Sequence, residues 1–147
     1  MLSQRTIRNK ITAAGVGLHS GKKVTLTFHP ADVDTGIIFR RIDGDKVIEI
    51  PALAKYVGDT TLSTSLEKDE YKISTIEHLL SAIAGTGVDN CVIDCDGPEI
   101  PVMDGSSTEF VFLIQSAGIM EQDAAKKFIY VTKSVQVNRE DAVARIN

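Results

Sequence analysis

The chain has 147 residues, of which 43% are hydrophobic and 24% are charged, and its formal net charge is −4. This composition is typical of a globular domain with a core, and no apolar run approaches the ~20 residues of a membrane-spanning helix. Because Lys and Arg are scattered along a chain of negative net charge, the sequence disfavours nucleic acid as a partner.

The first half of the chain has the pattern of β-strands. The N-terminal segment "MLSQRTIRNK" lacks the apolar stretch of a secretory signal, so we expect it in the folded domain of a cytoplasmic protein. In "KKVTLTFHP", Val24, Leu26 and Phe28 alternate with polar residues up to Pro30, which predicts a half-buried strand. Gly, Asp and Pro separate further predicted strands in "QRTIRNKI", "GIIFRR", "VIEIPA", "TTLSTSL" and "YKIS".

A first helix is predicted in "STIEHLLSAIAGTGVDN". Ser74 is a candidate N-cap, and Glu77 follows it at the spacing of a capping box. Gly85 and Gly87 are expected to end the helix. The expected apolar stripe consists of Ile76, Leu79, Leu80 and Ile83.

Both cysteines lie in the segment "DNCVIDCD". If this segment is a strand, Cys91 and Cys95 lie on one face and about 13 Å apart, at ~3.3 Å per residue. At that distance they can neither form a disulfide with each other nor bind one metal ion together. We therefore expect two buried, reduced thiols.

A second helix is predicted after "MDGSS", with Ser106 or Ser107 as its cap and Gly118 at its end. Residues 110–114 are five successive apolar residues, which lie around the whole circumference of a helix. A helix that is apolar on all sides is buried on more than one side. We therefore expect it to lie between its own sheet and a further layer.

The last part of the chain returns to a β pattern. The sequence predicts a strand through Val131, Val135 and Val137, a turn at residues 138–141 and a second strand over Ala142–Ile146. Such a hairpin is marginal alone. We expect an N-terminal α+β domain over residues 1–126, then a linker and the opening strands of a second domain over residues 127–147, so that the chain is the front part of a longer protein.

Glu77 and His78 are adjacent at the start of the first predicted helix, and two interpretations remain open. In the first interpretation, Glu77 closes a capping box and His78 is an ordinary helix-surface residue. Alternatively, the pair is half of a metallohydrolase site, in which imidazole binds Zn²⁺ and the carboxylate takes a proton from metal-bound water. The second interpretation needs further ligands, and neither His19 nor His29 forms a helical H-x-x-x-H pair with His78.

Two other segments are candidate binding motifs. In "GVGLHSG" a strand, not a helix, follows the glycines, so a phosphate-binding loop is disfavoured and turns with positive φ are expected. In "DGPEIPVMDGSS", Asp96, Glu99 and Asp104 are a candidate carboxylate cluster for a hard cation. The prolines favour the alternative, an extended connector with a turn and a helix cap.

Four stretches, "GVGLHSG", "TTLSTSL", "STIEHLLSAIAGTGVDN" and "GPEIPVMDGSS", together give the chain a family resemblance. The chain resembles the N-terminal part of the UDP-3-O-acyl-N-acetylglucosamine deacetylases, zinc enzymes of lipid A synthesis in Gram-negative bacteria. The resemblance implies an α+β fold, a two-layer domain with a mainly antiparallel sheet and two principal helices. It also implies that this domain is half of a sheet, helix, helix, sheet sandwich.

The resemblance also assigns site residues. His78 corresponds to a zinc ligand and Glu77 to the general base that activates the zinc-bound water. Four residues, expected to line the region that binds the UDP-sugar acyl substrate, are Leu18, His19, Leu62 and Ser63.

The remaining site residues of the family are absent from this sequence. The family's other two zinc ligands come from a His-Lys-x-x-Asp motif, and its catalytic histidine and a supporting threonine also lie in the second half. We therefore expect this chain alone to be inactive and to hold zinc weakly. Its expected partner is a C-terminal domain or a second copy bound through the helix face. The competing hypothesis is a non-catalytic binding or assembly module.

Overall fold

The computed structural model describes residues 2–147, and its elements confirm the predicted α+β class. Two α-helices interrupt a series of short strands, and a 3-10 turn lies at Ala54–Tyr56. The helices are α1 (Glu77–Thr86) and α2 (Thr108–Ala117), and the strands are β1 (Ser3–Ile7), β2 (Ile11–Val16), β3 (Lys23–Pro30), β4 (Ile37–Asp43), β5 (Lys46–Pro51), β6 (Leu66–Lys68), β7 (Tyr71–Ile73), β8 (Cys91–Cys95), β9 (Ile119–Ala125), β10 (Val135–Arg139) and β11 (Ala142–Ile146).

The central sheet has five strands in the order β2-β3-β8-β4-β5. All neighbours in this sheet are antiparallel except β4 and β8, which run parallel, so the predicted, mainly antiparallel sheet is confirmed. The strand predicted in "KKVTLTFHP" is β3, in which Val24, Leu26 and Phe28 are fully buried. The period of two therefore identified both the strand and its buried face.

Helices α1 and α2 pack against each other, and their buried side chains join one face of the sheet in a single hydrophobic cluster. The sheet has one apolar face and α1 has an apolar stripe, and the contact between them removes both from water. The sheet contributes Val24, Leu26, Phe28, Phe39, Ile50, Cys91, Ile93 and Cys95, and the helices contribute Leu79, Ala82, Ile83, Phe110, Ile114 and Ala117.

The start of α1 differs from the prediction, because no capping box forms. The N-cap position is Ile76 and has no side-chain hydrogen bond. Ser74 is engaged elsewhere: its N–H and its hydroxyl both donate to the carbonyl of Pro98, at 2.9 and 3.4 Å. At the other end, Gly87 (φ +74°) ends the helix as predicted, whereas Gly85 lies inside it.

Helix α2 exposes one side of its apolar surface. It begins at Thr108, whose N–H donates to the Ser106 hydroxyl at 3.0 Å, and it ends before Gly118. Phe110 and Ile114 face the core, whereas Phe112 is 70% exposed. The five apolar residues thus surround the helix as predicted, but the described residues cover only part of that surface.

Three strand predictions were wrong. The segment "QRTIRNKI" is not one strand, because residues 8–10 are irregular and separate β1 from β2. "TTLSTSL" is irregular up to Leu66, where β6 begins. Leu62 has a left-handed backbone (φ +61°), and the Asp59 carboxylate accepts the Thr61 N–H in a turn, so the alternation there does not form a ladder. Near the C-terminus, Val131 lies outside a strand, and β9, which pairs with β1, has no counterpart among the predicted strands.

The C-terminal residues form a hairpin with exposed side chains. Strands β10 and β11 pair antiparallel, and Arg139 faces Ala142 across the turn. Every residue of both strands is exposed. The predicted hairpin is therefore present, but it contributes nothing to the core.

Cys91 and Cys95 are free and buried on the core face of β8, as predicted. Burial raises the pKa of the Cys91 thiol to about 12 and that of Cys95 to about 11. Both thiols are therefore protonated and unreactive at neutral pH. Over residues 2–147, the structure contains no helix of sufficient length and apolarity to span a membrane.

Candidate functional site

The candidate site lies at the start of α1, whose first two residues are Glu77 and His78. Both side chains are half-buried, whereas Leu79, the next residue, is fully buried in the core. The core contact of Leu79 therefore fixes the turn that carries the two polar side chains. Thr75, two residues before Glu77, has a left-handed backbone with φ +58°, which sets the direction in which the chain enters the helix.

One loop contacts Glu77 directly. The Glu77 Oε2 atom accepts a hydrogen bond from the Thr64 N–H at 3.1 Å, and the Ile76 N–H donates to the Thr64 carbonyl at 3.3 Å. Leu62 and Ser63 immediately precede Thr64 in the chain; Leu62 is 85% exposed and Ser63 is half-buried. The structure thus brings the predicted substrate-binding segment "TTLSTS" beside the predicted general base.

A second loop reaches the same place through Glu99. The Glu99 carboxylate accepts hydrogen bonds from the His19 N–H at 3.0 Å, the Ser20 N–H at 2.8 Å and the Thr75 hydroxyl at 3.0 Å. In this loop both Leu18 and His19 have exposed side chains. The loop "GLHSG" is therefore tied to the residue two positions before Glu77.

The glycines of "GVGLHSG" act differently from the expectation, since only Gly21 (φ +63°) among the three has a positive φ. At Gly15 and Gly17, a side chain would collide with neighbouring atoms. A Cβ on Gly17 would lie 2.4 Å from Glu99 Oε2, and one on Gly15 would lie 2.7 Å from the Cβ of Pro101. The loop leads into β3, as expected, and not into the helix that a phosphate-binding loop normally precedes.

Glu99 is the residue whose role sequence reasoning missed. It is 1% exposed, although it lies in the predicted extended connector. Burial alone would raise its pKa, but the hydrogen bonds from His19, Ser20 and Thr75 outweigh burial and lower the pKa of Glu99 below its usual value. Its only sequence signal is a single carboxylate in the apolar run "PEIPV".

The candidate cation cluster does not form. Asp96 is exposed and accepts the Thr25 N–H, and Asp104 is exposed and accepts hydrogen bonds from Ser106, so neither shares the surroundings of Glu99. In the part of the chain that the structure describes, no three His, Cys, Asp or Glu side chains are grouped to hold a metal ion. His78 and Glu77 therefore fit one imidazole ligand with a neighbouring base, and not a complete metal site.

His29 lies apart from this site, on the face of the sheet opposite the helices. Its Nε2 atom lies 2.8 Å from Asp94 Oδ2, and the Arg40 Nε–H donates to Asp94 Oδ1 at 2.5 Å. Burial opposes ionisation of Asp94, but the hydrogen bonds from Arg40 and His29 prevail and lower its pKa. His29 thus belongs to a cross-strand hydrogen-bond network with Asp94 and Arg40 and is no ligand candidate for the site at α1.

The chain is similar to a protein-family model and to several known proteins. A family model described as UDP-3-O-acyl N-acetylglycosamine deacetylase matches residues 4–147. The UDP-3-O-acyl-N-acetylglucosamine deacetylase of Saccharophagus degradans is 59% identical over 144 residues, which cover 98% of this chain and 48% of that protein. The corresponding protein of Hahella chejuensis is 60% identical over 141 residues, covering 96% and 47%. The chain spans about half the length of the curated relatives it matches.

Proposed function

The chain belongs to the UDP-3-O-acyl N-acetylglycosamine deacetylase family, and from this premise we propose that it supplies the N-terminal part of a zinc-dependent deacetylase. The reaction is hydrolysis of the acetamide of UDP-3-O-acyl-N-acetylglucosamine, which releases acetate and the free amino sugar nucleotide. We assign the reaction to lipid A synthesis in the cytoplasm of a Gram-negative bacterium. The names of the relatives and their identity over nearly the whole of this chain support the proposal.

In this proposal His78 supplies one zinc ligand and Glu77 is the general base. Zinc, when bound, polarises the acetamide carbonyl and makes water more acidic. Glu77 accepts the proton of the attacking water through its carboxylate, one oxygen of which already accepts the Thr64 N–H. That hydrogen bond orients the carboxylate and leaves its second oxygen, Oε1, for the proton. The remaining zinc ligands and the acid that protonates the amine come from outside this chain.

The substrate-binding role falls to the two loops tied to the start of α1. The observation that carries the proposal is their convergence: Thr64 contacts Glu77 directly, and Glu99 joins residues 19 and 20 to Thr75. Loops that are fixed at one end and expose their tips are suited to bind a substrate beside a rigid catalytic element. Leu18 and Leu62 offer apolar surface at 61% and 85% exposure, and His19 and Ser63 offer polar groups.

The second domain is proposed to cover the exposed side of α2 and to begin near residue 127. Phe112 at 70% exposure offers the apolar surface that such a layer needs. A C-terminal domain placed there would form the sheet, helix, helix, sheet sandwich. Residues 127–147, with their exposed hairpin, form its linker and first strands in this proposal.

The test uses the chain fused to the C-terminal half of the Saccharophagus degradans relative, with the unfused chain measured alongside. We expect deacetylase activity and about one zinc per molecule in the fusion and not in the unfused chain. Glu77→Ala should reduce kcat by about 10²-fold or more while leaving zinc bound, and His78→Ala should remove both zinc and activity.

Glu70→Ala is the matched control, because Glu70 is an exposed carboxylate in the β6–β7 turn. It should leave activity and zinc content unchanged. Full activity of the unfused chain would show that the remaining ligands lie within residues 2–147 and would overturn the split-site assignment.

The exposed Phe112, with the half-buried Val111 and Leu113 beside it on α2, also favours a second candidate function, a non-catalytic assembly module that binds a partner through these side chains. The same fusion separates the two. A folded, zinc-containing fusion without activity on the acetylated sugar nucleotide would favour the assembly module and reject the deacetylase proposal.

A further inference from the structure

We infer that Glu99 is a positioning residue: its buried carboxylate holds loop residues 18–20 in place against the residues that lead into α1. This inference rests on the proposed function, because it assigns to Glu99 the placement of the loop that carries Leu18 and His19. Glu99 touches the backbone and a hydroxyl, and the structure assigns it no part in the chemistry.

Both oxygens of the carboxylate are used. Oε1 accepts the His19 N–H and the Thr75 hydroxyl, each at 3.0 Å, and Oε2 accepts the Ser20 N–H at 2.8 Å. Hydrogen bonds from N–H or O–H groups to a carboxylate are stronger than those between neutral groups. With 1% exposure, Glu99 is shielded from water that could replace a lost hydrogen-bond donor.

The three hydrogen bonds join segments that are far apart in the sequence. His19 is 80 residues from Glu99, and Thr75 is 24 residues from it. The backbone connects the segment around Glu99 to both sides. The Ser74 N–H donates to the Pro98 carbonyl and the Ile100 N–H donates to the Ser74 carbonyl, each at 2.9 Å, and the Val102 N–H donates to the Val16 carbonyl at 3.0 Å. The carboxylate is thus held between the start of α1 and the end of β2, and its own hydrogen bonds fix residues 19 and 20 of the loop.

The space around the carboxylate leaves little freedom to the loop. A Cβ on Gly17 would lie 2.4 Å from Oε2 and 2.3 Å from the Ser20 Oγ. Two backbone hydrogen bonds close the turn. The Gly17 N–H donates to the Lys22 carbonyl at 2.9 Å, and the Gly21 N–H donates to the Gly17 carbonyl at 3.0 Å. A glutamine at position 99 has the right size, but its NH₂ group would face an N–H group and lose an acceptor.

The test compares Glu99→Gln with wild type in the fusion described above, by steady-state kinetics and zinc content, and in the unfused chain by NMR of the backbone amides. We expect KM to rise about tenfold or more with a smaller change in kcat. Zinc content should stay equal, and the His19 and Ser20 amide protons should shift upfield. A purely structural role would lower the folded fraction and leave KM of the folded molecules unchanged.

Thr75→Val and Thr75→Ser form a milder matched pair that decides the question if Glu99→Gln does not fold. The valine variant removes one hydrogen bond to Glu99 and should raise KM, whereas the serine variant keeps the hydroxyl and should restore it. Wild-type KM in both Glu99→Gln and Thr75→Val would overturn the inference. An inactive wild-type fusion would instead reject the proposed function, on which this inference depends.

Discussion

Strands β3 and β10 have the same sequence pattern and opposite environments. In β3, Val24, Leu26 and Phe28 are fully buried, whereas in β10 Val135 and Val137 are 48% and 64% exposed. Both strands are hydrogen-bonded in antiparallel pairs. Alternation therefore predicts the strand, but burial requires a second layer. Helices α1 and α2 provide that layer for β3 and not for β10.

The same contrast separates the polar contacts of residues 2–126 from those of residues 127–147. In the first region, the Gln4 side chain binds Asp34, the Ala125 carbonyl and Asn90, which links the first strand to the loop before β4 and to β9. In the second region, within the described chain, the one ion pair that reaches back is Lys127 with Asp34 at 2.6 Å. The first region is thus linked by contacts between distant segments, and the second is held by local pairing.

Phe28→Ala against Val137→Ala gives the largest expected difference between the two regions. Removing the fully buried Phe28 ring should lower the free energy of unfolding by about 3–5 kcal/mol. Removing two methyl groups from the exposed Val137 should change it by less than about 0.5 kcal/mol. Urea unfolding followed by circular dichroism measures both. Comparable losses would mean that the hairpin has a covering layer in solution.

Gly87→Ala and Gly85→Ala should have effects of opposite sign and about 1 kcal/mol each. Gly87 has φ +74°, where a Cβ is strained, whereas Gly85 lies inside α1 with nothing within 4 Å of an added Cβ. Alanine should therefore destabilise the fold at position 87 and stabilise it at position 85. Thermal unfolding of the two variants provides the measurement, and each is the control for the other.

The hairpin offers a third position for this comparison. Glu140 has a left-handed backbone (φ +51°) in the turn between β10 and β11. Glu140→Gly relieves the same kind of strain, but the change should leave global unfolding unaltered because the hairpin is not packed on the core. A clear rise in the melting temperature would show that the hairpin unfolds together with residues 2–126.

Protonation of Asp94 in acid should lower the free energy of unfolding, by less than the substitutions at Phe28 and Gly87 lower it. The pKa of Asp94 in the folded chain is lower than its ordinary value of 3.8. Its ionised form therefore adds stability above pH 3.8, which is lost as the pH falls through the lower folded-state pKa. The Asp94 side chain is 25% exposed, and solvent screening keeps the effect modest.

Asp94→Asn tests this effect by unfolding at several pH values. The variant should be less stable than wild type at neutral pH and should approach wild type in acid. Asp141→Asn in the β10–β11 turn is the matched control, because Asp141 is exposed and forms no ion pair among residues 2–147. An unchanged pH dependence in Asp94→Asn would contradict the assigned role of the Arg40 and His29 contacts.

The parts of the fold that the sequence predicted depend on local periods. The alternation in β3 and the buried thiols of β8 follow from contacts repeated every two residues, and the Gly87 helix end follows from a local backbone preference. The failures depend on distant contacts. Ser74 makes no capping box because it binds the Pro98 carbonyl, and β9 exists because β1 pairs with it. No local pattern contains that information.

The candidate site divides in the same way. Glu77 and His78 were selected by their adjacency and by the resemblance to a known family, and their roles remain predictions. The contact between Glu77 and Thr64 spans 13 residues, and the contact between Glu99 and His19 spans 80. A carboxylate in an apolar connector indicates a buried partner, but the sequence alone does not identify which backbone groups supply it.

Deletion of residues 127–147 should have the smallest effect, a change of less than about 0.5 kcal/mol in the free energy of unfolding. The ion pair that is lost joins Lys127 and Asp34, whose side chains are 76% and 55% exposed, so it adds little in water. The matched control ends the chain after Gly118. That deletion also removes β9, the partner of β1, and the Lys126 contact with Asp89 at 2.6 Å, and it should abolish cooperative unfolding. A loss of more than about 2 kcal/mol in the free energy of unfolding on removing residues 127–147 alone would show that the folded domain extends beyond residue 126. Exposed residues with local pairing cannot supply that much.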